Sequence, residues 1–129
     1  MRGAVLFNPT LEKVLVVSNL SKRRYGFPKG KTNQDETDEQ CAVREIYEEV
    51  GYDISPQLNP SEFVESNDGL VKLYLVRGVP DNHNFTTLTR GEIGSIEWVP
   101  FSDIPTKANR QVSKYKDCLL YTSPSPRDS

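Results

Sequence analysis

Three acidic side chains in the stretch REIYEEVG, Glu45, Glu48 and Glu49, stand at helical spacing. Successive helical residues turn by about 100°, so positions three and four apart are neighbours on one face. Like charges so placed weaken a bare helix by about 0.2–0.5 kcal/mol per pair. A divalent cation between them relieves that repulsion. Carboxylate oxygens without imidazole or thiolate partners suit a hard ion, Mg²⁺ or Mn²⁺, which keeps waters and shares its shell with substrate phosphates. The plainer reading is a solvated acidic helix face. Arg44 stands one turn before Glu48 and is placed to pair with it.

The helix that must carry these groups is legible in the sequence. Thr37 is an N-cap with Gln40 three residues on, a capping box. Asp38 and Glu39 occupy the first turn, where the helix dipole favours negative charge. Val43, Ile46, Tyr47 and Val50 make an apolar stripe, and Gly51 is a C-terminal stop.

Strands are expected on both sides of it. Residues 2–7 and 14–18 read as a hairpin about Asn8-Pro9-Thr10. The basic run SKRRYGFPKG, residues 21–30, contains Pro28 and Gly30 and predicts irregular backbone. Residues 63–66 and 70–76 predict a second hairpin about Asn67-Asp68-Gly69. Its run LVKLYLV suits a strand covered on both faces. A polar loop, residues 78–91, leads to a strand over 93–99 that Pro100 closes, and Ser102-Asp103 offers a cap for a second helix. The pattern is an α/β layered domain.

Bulk properties narrow the class. At 129 residues, 36% hydrophobic and 26% charged, one globular domain with one core is expected. A net charge of −2 advertises no global nucleic-acid field. Cys41 and Cys118 form no metal-ligand or disulfide pattern, so a reducing, cytoplasmic setting is expected. No apolar run is long enough to span a membrane, and no membrane partner is expected. The last residues, CLLYTSPSPRDS (118–129), are rich in Ser and Pro and read as a non-native or disordered tail. That leaves 1–117 as the domain.

The spaced residues Gly30, Glu36, Arg44, Glu45, Ile46, Glu48, Glu49 and Gly51, with Tyr52 at a loosely apolar last position, resemble the Nudix box G-x5-E-x7-R-E-U-x-E-E-x-G-U. The resemblance implies a Nudix fold, a mixed β-sheet sandwiched between helices, and hydrolysis of a nucleoside diphosphate linked to another group. It implies Glu45, Glu48 and Glu49 as ligands for Mg²⁺ or Mn²⁺. Glu36 would assist a second ion or orient the loop, and both readings stay open. Gly30, Arg44 and Gly51 would shape and orient the box.

The flanks GFPKGK (26–31), NPSEF (59–63) and TRGEIGSIEW (89–98) are similar to the catalytic subunits of mRNA decapping enzymes. This resemblance runs from about residue 2 to about 116 and implies capped mRNA as substrate. The family's preceding helical domain, which binds a decapping activator subunit, and most of a following basic helix are missing, so the chain reads as a fragment or an unusually short member. Lys29 and Lys31 would meet phosphate oxygens. Lys22, Arg23 and Arg24 would do so more weakly or form a solvated loop. Glu92 matches the family's loop glutamate, a general base or extra metal ligand, so Glu49, Glu92 and Glu45 are the candidate catalytic groups. Glu97 and Trp98 are expected to be structural and His83 solvated. Tyr115 is given no role. Dinucleoside polyphosphate hydrolases and diphosphoinositol polyphosphate hydrolases share the box and are the alternative. A non-catalytic cap- or RNA-binding module is the alternative of another class.

Overall fold

The structure is a computed structural model that describes residues 1–104. Two sheets carry it. In the first, β1 (Arg2–Leu6) lies between β4 (Lys29–Gly30) and β6 (Lys72–Val76), and β5 (Phe63–Glu65) forms the far edge. β1 runs parallel to β6, while the β1–β4 and β5–β6 pairs are antiparallel, so the sheet is mixed. In the second, β2 (Lys13–Ser18) lies between β3 (Tyr25–Gly26) and β7 (Ser95–Pro100), all antiparallel. One α-helix, α1 (Asp38–Val50), is present among the described residues.

Alternation along β1 and β2 divides the interior in two. Ala4, Leu6, Leu15 and Val17 join Tyr74 and Val76 beneath Ala42, Ile46 and Val50 of α1. Val5, Phe7, Val14 and Val16 face the other way, onto Leu73, Leu75, Phe101 and Ile104. A parallel pair covered on both faces is what the apolar β6 run requires. Its hairpin with β5 forms as expected, with Gly69 at φ 74° in the turn.

The helix forms as its caps dictate. The Gln40 N–H donates to Thr37 Oγ1 at 3.1 Å, and the Thr37 N–H donates to Gln40 Oε1 at 2.9 Å. Gly51 takes the left-handed conformation, φ 71°, and its N–H donates to the Tyr47 carbonyl.

Three expectations are corrected. Residues 2–18 do not form a hairpin ladder. A single bridge joins Phe7 to Val14, and the strands then part into different sheets. The Asn8 side chain accepts from the Glu12 and Lys13 N–H groups, and Leu11 sits at φ 62°, which fixes the connection as a wide turn. The run 21–30 is not irregular throughout, since β3 and β4 flank Phe27-Pro28. The Pro28 carbonyl accepts from the Ala4 N–H at 3.2 Å, which ties the run to β1. On α1, Tyr47 is 51% exposed while Ala42 and Glu49 are buried, so the inward arc is rotated from the apolar stripe. After Pro100 the described chain makes one 3₁₀ turn, Phe101–Asp103, and a helix capped by Ser102-Asp103 would lie outside the described residues. Tyr115 and residues 118–129 lie outside the described residues.

Candidate functional site

The site is built on the last two turns of α1, which carry Arg44, Glu45, Glu48 and Glu49, and on β4. Gly30 is buried on β4, and the Glu45 carboxylate fills the space that a side chain there would occupy. A Cβ on residue 30 would require that carboxylate to move. Arg44 organises the surrounding carboxylates. Its Nε and Nη2 donate to the two oxygens of Glu36 at 2.7 and 2.9 Å, a bidentate pair. Its Nη1 donates to Glu45 at 2.9 Å and reaches Glu48 at 3.4 Å, and Nη2 also meets the Lys31 carbonyl at 2.9 Å. Arg44 thus ties the loop 31–36 to the helix, and its pairing with Glu48 is the weakest of these bonds.

These contacts set the electrostatics. The Arg44 guanidinium and the Asn33 N–H hold the Glu36 carboxyl down to about 2. Glu45 is lifted by burial against the downward pull of Arg44. Glu49 is 9% exposed. Burial first, and the Glu45 charge second, push its carboxyl up to about 7, while a backbone hydrogen bond and the positive charge of Lys29 act against them. Glu92 adds to the push, which places this loop carboxylate within electrostatic range of Glu49.

The loop that delivers Glu92 is fastened at both ends. On one side it runs along the C-terminal end of α1. The Thr86 N–H donates to the Val50 carbonyl at 3.1 Å, and the Leu88 N–H to the Glu48 carbonyl at 2.7 Å. Carbonyls that a helix end leaves without partners are thereby satisfied. On the other side the Gly94 N–H donates to the Ser18 carbonyl at 2.9 Å, and Gly94 lies against the Asn19 backbone.

A family model described as the NUDIX domain matches residues 2–118. The chain belongs to the Nudix family. Among curated relatives of this Nudix chain, "mRNA decapping complex subunit 2" of Schizosaccharomyces pombe is 40% identical over 109 residues, covering 82% of this chain and 15% of the relative. "m7GpppN-mRNA hydrolase dcap-2" of Caenorhabditis elegans is 38% identical over 117 residues, covering 88% of this chain and 15% of the relative. The chain therefore spans about 15% of the length of these two relatives. The solved Ap4A hydrolase of Caenorhabditis elegans superposes with a TM-score of 0.71 at 18% identity, covering 92% of this chain and 97% of that one. That likeness shows the Nudix fold.

Of the expected Nudix box residues, Glu45 lies against Gly30, and Arg44 bonds Glu36, Glu45 and Glu48. Among the described residues no three His, Cys, Asp or Glu side chains are gathered into a ready metal cage. Arg44 pairs with Glu45 and Glu48 at 2.9 and 3.4 Å. The donor set nevertheless fits a hard divalent cation. It is all carboxylate oxygen, and its most buried member, Glu49, is held in an environment that disfavours its own charge. Glu45, Glu48 and Glu49, with Glu92, are the residues that would hold such an ion.

Lys31 is exposed, with its carbonyl on Arg44. Lys29 has its ammonium 3.5 Å from the Phe27 carbonyl. Glu36 is an orienting residue in this arrangement, both its oxygens being engaged by Arg44. Trp98 packs into the core beside Phe85, as expected. His83 corrects the sequence reading. Its Nε2 lies 3.2 Å from the Gly51 carbonyl and its ring packs on Tyr52 and Phe85. The sequence reading also missed the residues 86–88 as fasteners of the Glu92 loop. Thr86 and Leu88 act through backbone groups, which leave no signature in side-chain type, and Thr87 adds its hydroxyl, 3.4 Å from the Glu48 carbonyl.

Proposed function

We propose that this chain is the catalytic domain of an mRNA decapping enzyme, which hydrolyses the 5′ cap of mRNA to 7-methyl-GDP and 5′-monophosphate RNA. The observation that carries the proposal is the Gly30–Glu45–Glu49 arrangement in a Nudix chain whose similarity to proteins named for decapping extends over more than four-fifths of its length. A bound divalent ion, Mg²⁺ or Mn²⁺, would neutralise the phosphates and lower the pKa of a coordinated water. The chain's own groups have separate tasks. Glu45, Glu48 and Glu49 hold the ion. Glu92, on an exposed loop, accepts the proton of the attacking water as the P–O bond between the two products breaks. Lys29 and Lys31 meet phosphate oxygens, and Gly30, Arg44 and Gly51 keep the box in register.

Capped mRNA is then the substrate, a decapping activator subunit the expected partner of the whole enzyme, and cytoplasmic mRNA decay its setting. No helix among the described residues is long and apolar enough to cross a membrane. The test is product analysis. The chain is incubated with Mg²⁺ or Mn²⁺ and cap-labelled RNA, diadenosine polyphosphates or diphosphoinositol phosphates. Release of 7-methyl-GDP from capped RNA is the expected result. Cleavage confined to the small polyphosphates, or RNA binding without turnover, overturns the proposal.

A further inference from the structure

The chain's single histidine lies against the C-terminal cap of α1. His83 is half-buried, with its Nε2 3.2 Å from the Gly51 carbonyl. A carbonyl only accepts, so Nε2 carries the proton of this bond. The ring stands edge-on to Tyr52 and Phe85, with centroids 5.0 and 4.8 Å away, and Phe85 in turn meets Trp98 of β7 at 5.7 Å. From this anchor the loop runs along the helix end through the Thr86 and Leu88 N–H groups. Gly51 makes the approach possible, since a Cβ there would stand 2.6 Å from the Thr86 carbonyl oxygen. The carbonyls of Glu48, Val50 and Gly51 are all met by the segment 83–88, and the one on Gly51 is met by a side chain.

We propose that His83 is a positioning residue for Glu92, a clamp that seats the Glu92 loop on the helix bearing the box carboxylates; the proposal rests on the reading of Glu92 as the proton acceptor and deepens it. The Leu88 N–H bonds the carbonyl of Glu48, whose neighbour along the chain is Glu49. A shift at Leu88 is therefore a shift of the loop relative to both carboxylates, and Glu92 follows four residues later. Thr86 and Leu88 are exposed, so water competes for their two bonds to the helix. The His83 ring, packed and hydrogen-bonded at the same end, restricts the segment in advance and leaves less entropy to lose when those two bonds form.

The test compares His83→Phe, which keeps a ring and removes the donor, with His83→Gln, whose amide restores a donor. Thermal melts verify that both full-length variants fold. In His83→Phe, hydrogen–deuterium exchange at the Thr86 and Leu88 amides is expected to quicken about 2–10-fold, the range for one neutral hydrogen bond. Its kcat should fall about tenfold, less than the 10²-fold of a 1 Å misplacement, with KM and Mn²⁺ affinity little changed. His83→Gln should recover both exchange and rate. The deciding measurement is a double-mutant cycle with Glu92→Gln. A residue that acts through Glu92 costs nothing further once that carboxylate is gone. Losses that multiply, unchanged amide exchange, or weakened Mn²⁺ binding in His83→Phe overturn the proposal. Rates are read on capped RNA and on diadenosine polyphosphates. Cleavage of the second alone retires the decapping reading, and the cycle measured on it still decides the clamp. A full rate in Glu92→Gln alone retires Glu92 as the proton acceptor and the clamp with it, whereas a slow Glu92→Gln with a multiplying His83→Phe retires the clamp alone.

Discussion

The Glu45 carboxylate and the Cα of Gly30 share a space in which no side chain on residue 30 fits. The strand β4 therefore fixes the position of a candidate metal ligand on α1 from outside the helix. Gly30→Ala should push Glu45 aside. Overpacking of this kind costs about 1–3 kcal/mol of stability, and a misplacement of about 1 Å at a reacting centre costs about 10²-fold in rate. Single-turnover decapping and thermal unfolding of the variant measure both, and an unchanged rate would show that Glu45 tolerates displacement.

Glu49 makes stability depend on pH. Its folded-state value of about 7 lies above the ordinary 4.5. Below 4.5 both states hold the proton and the group contributes nothing. Between 4.5 and about 7 the unfolded chain releases the proton first, so stability falls as pH rises, by up to about 3 kcal/mol once above 7. In chelator, the protein is expected to unfold at lower denaturant at pH 8 than at pH 5. Glu49→Gln should narrow that difference, and added Mg²⁺ should do the same in the unmodified protein. A difference that persists in the variant assigns the effect to other groups.

Glu36 has the opposite sign. Its folded-state value of about 2 lies below the ordinary 4.5, through its bonds to Arg44 and the Asn33 N–H. Its contribution is present above 4.5 and is lost as pH falls from 4.5 through about 2. Glu36→Gln should lower stability at neutral pH and flatten the loss in acid. Arg44→Lys should do likewise, since an ammonium cannot bridge both Glu36 oxygens and Glu45. Urea midpoints between pH 2 and pH 7 report the slopes.

How much of this was legible from sequence follows from what each element depends on. Thr37, Gln40 and Gly51 act on their immediate neighbours, so the helix limits could be read residue by residue. Partner choice between strands depends on distant chain, and turn chemistry at Asn8-Pro9-Thr10 did not reveal that β1 pairs with β6, some seventy residues on. Tyr47 and Glu49 exchanged their expected burial because apolarity alone marks the inward arc, and a carboxylate drawn inward for function breaks that rule. Glu36 could not be placed by spacing, because its role is decided by the fork of Arg44 across the loop.

Glu92 and Glu49 should separate in their effects. Glu49 is fixed on a packed helix, whereas Glu92 is exposed beyond Gly91, which adopts φ 71°. Glu92→Gln is expected to lower the rate by about 10²–10⁴-fold, the range for a general base, with most metal affinity intact and the acidic limb of the rate profile flattened. Glu49→Gln should weaken metal binding itself. Calorimetric Mn²⁺ titration of both variants, beside single-turnover rates across pH, provides the comparison. Equal loss of affinity would make Glu92 a ligand and not the base.

The two fastenings of the loop carry a further meaning for how such a chain can change. Hydrogen bonds at Leu88 and at Gly94 belong to main-chain atoms, so they survive almost any replacement between them. Residues 89–92 form an interchangeable cassette, clipped to the helix end at one side and, past the core-packed Ile93, to β2 at the other. Reach, charge and the placement of a proton acceptor can be rewritten there while the scaffold that grips the ion stays as it is.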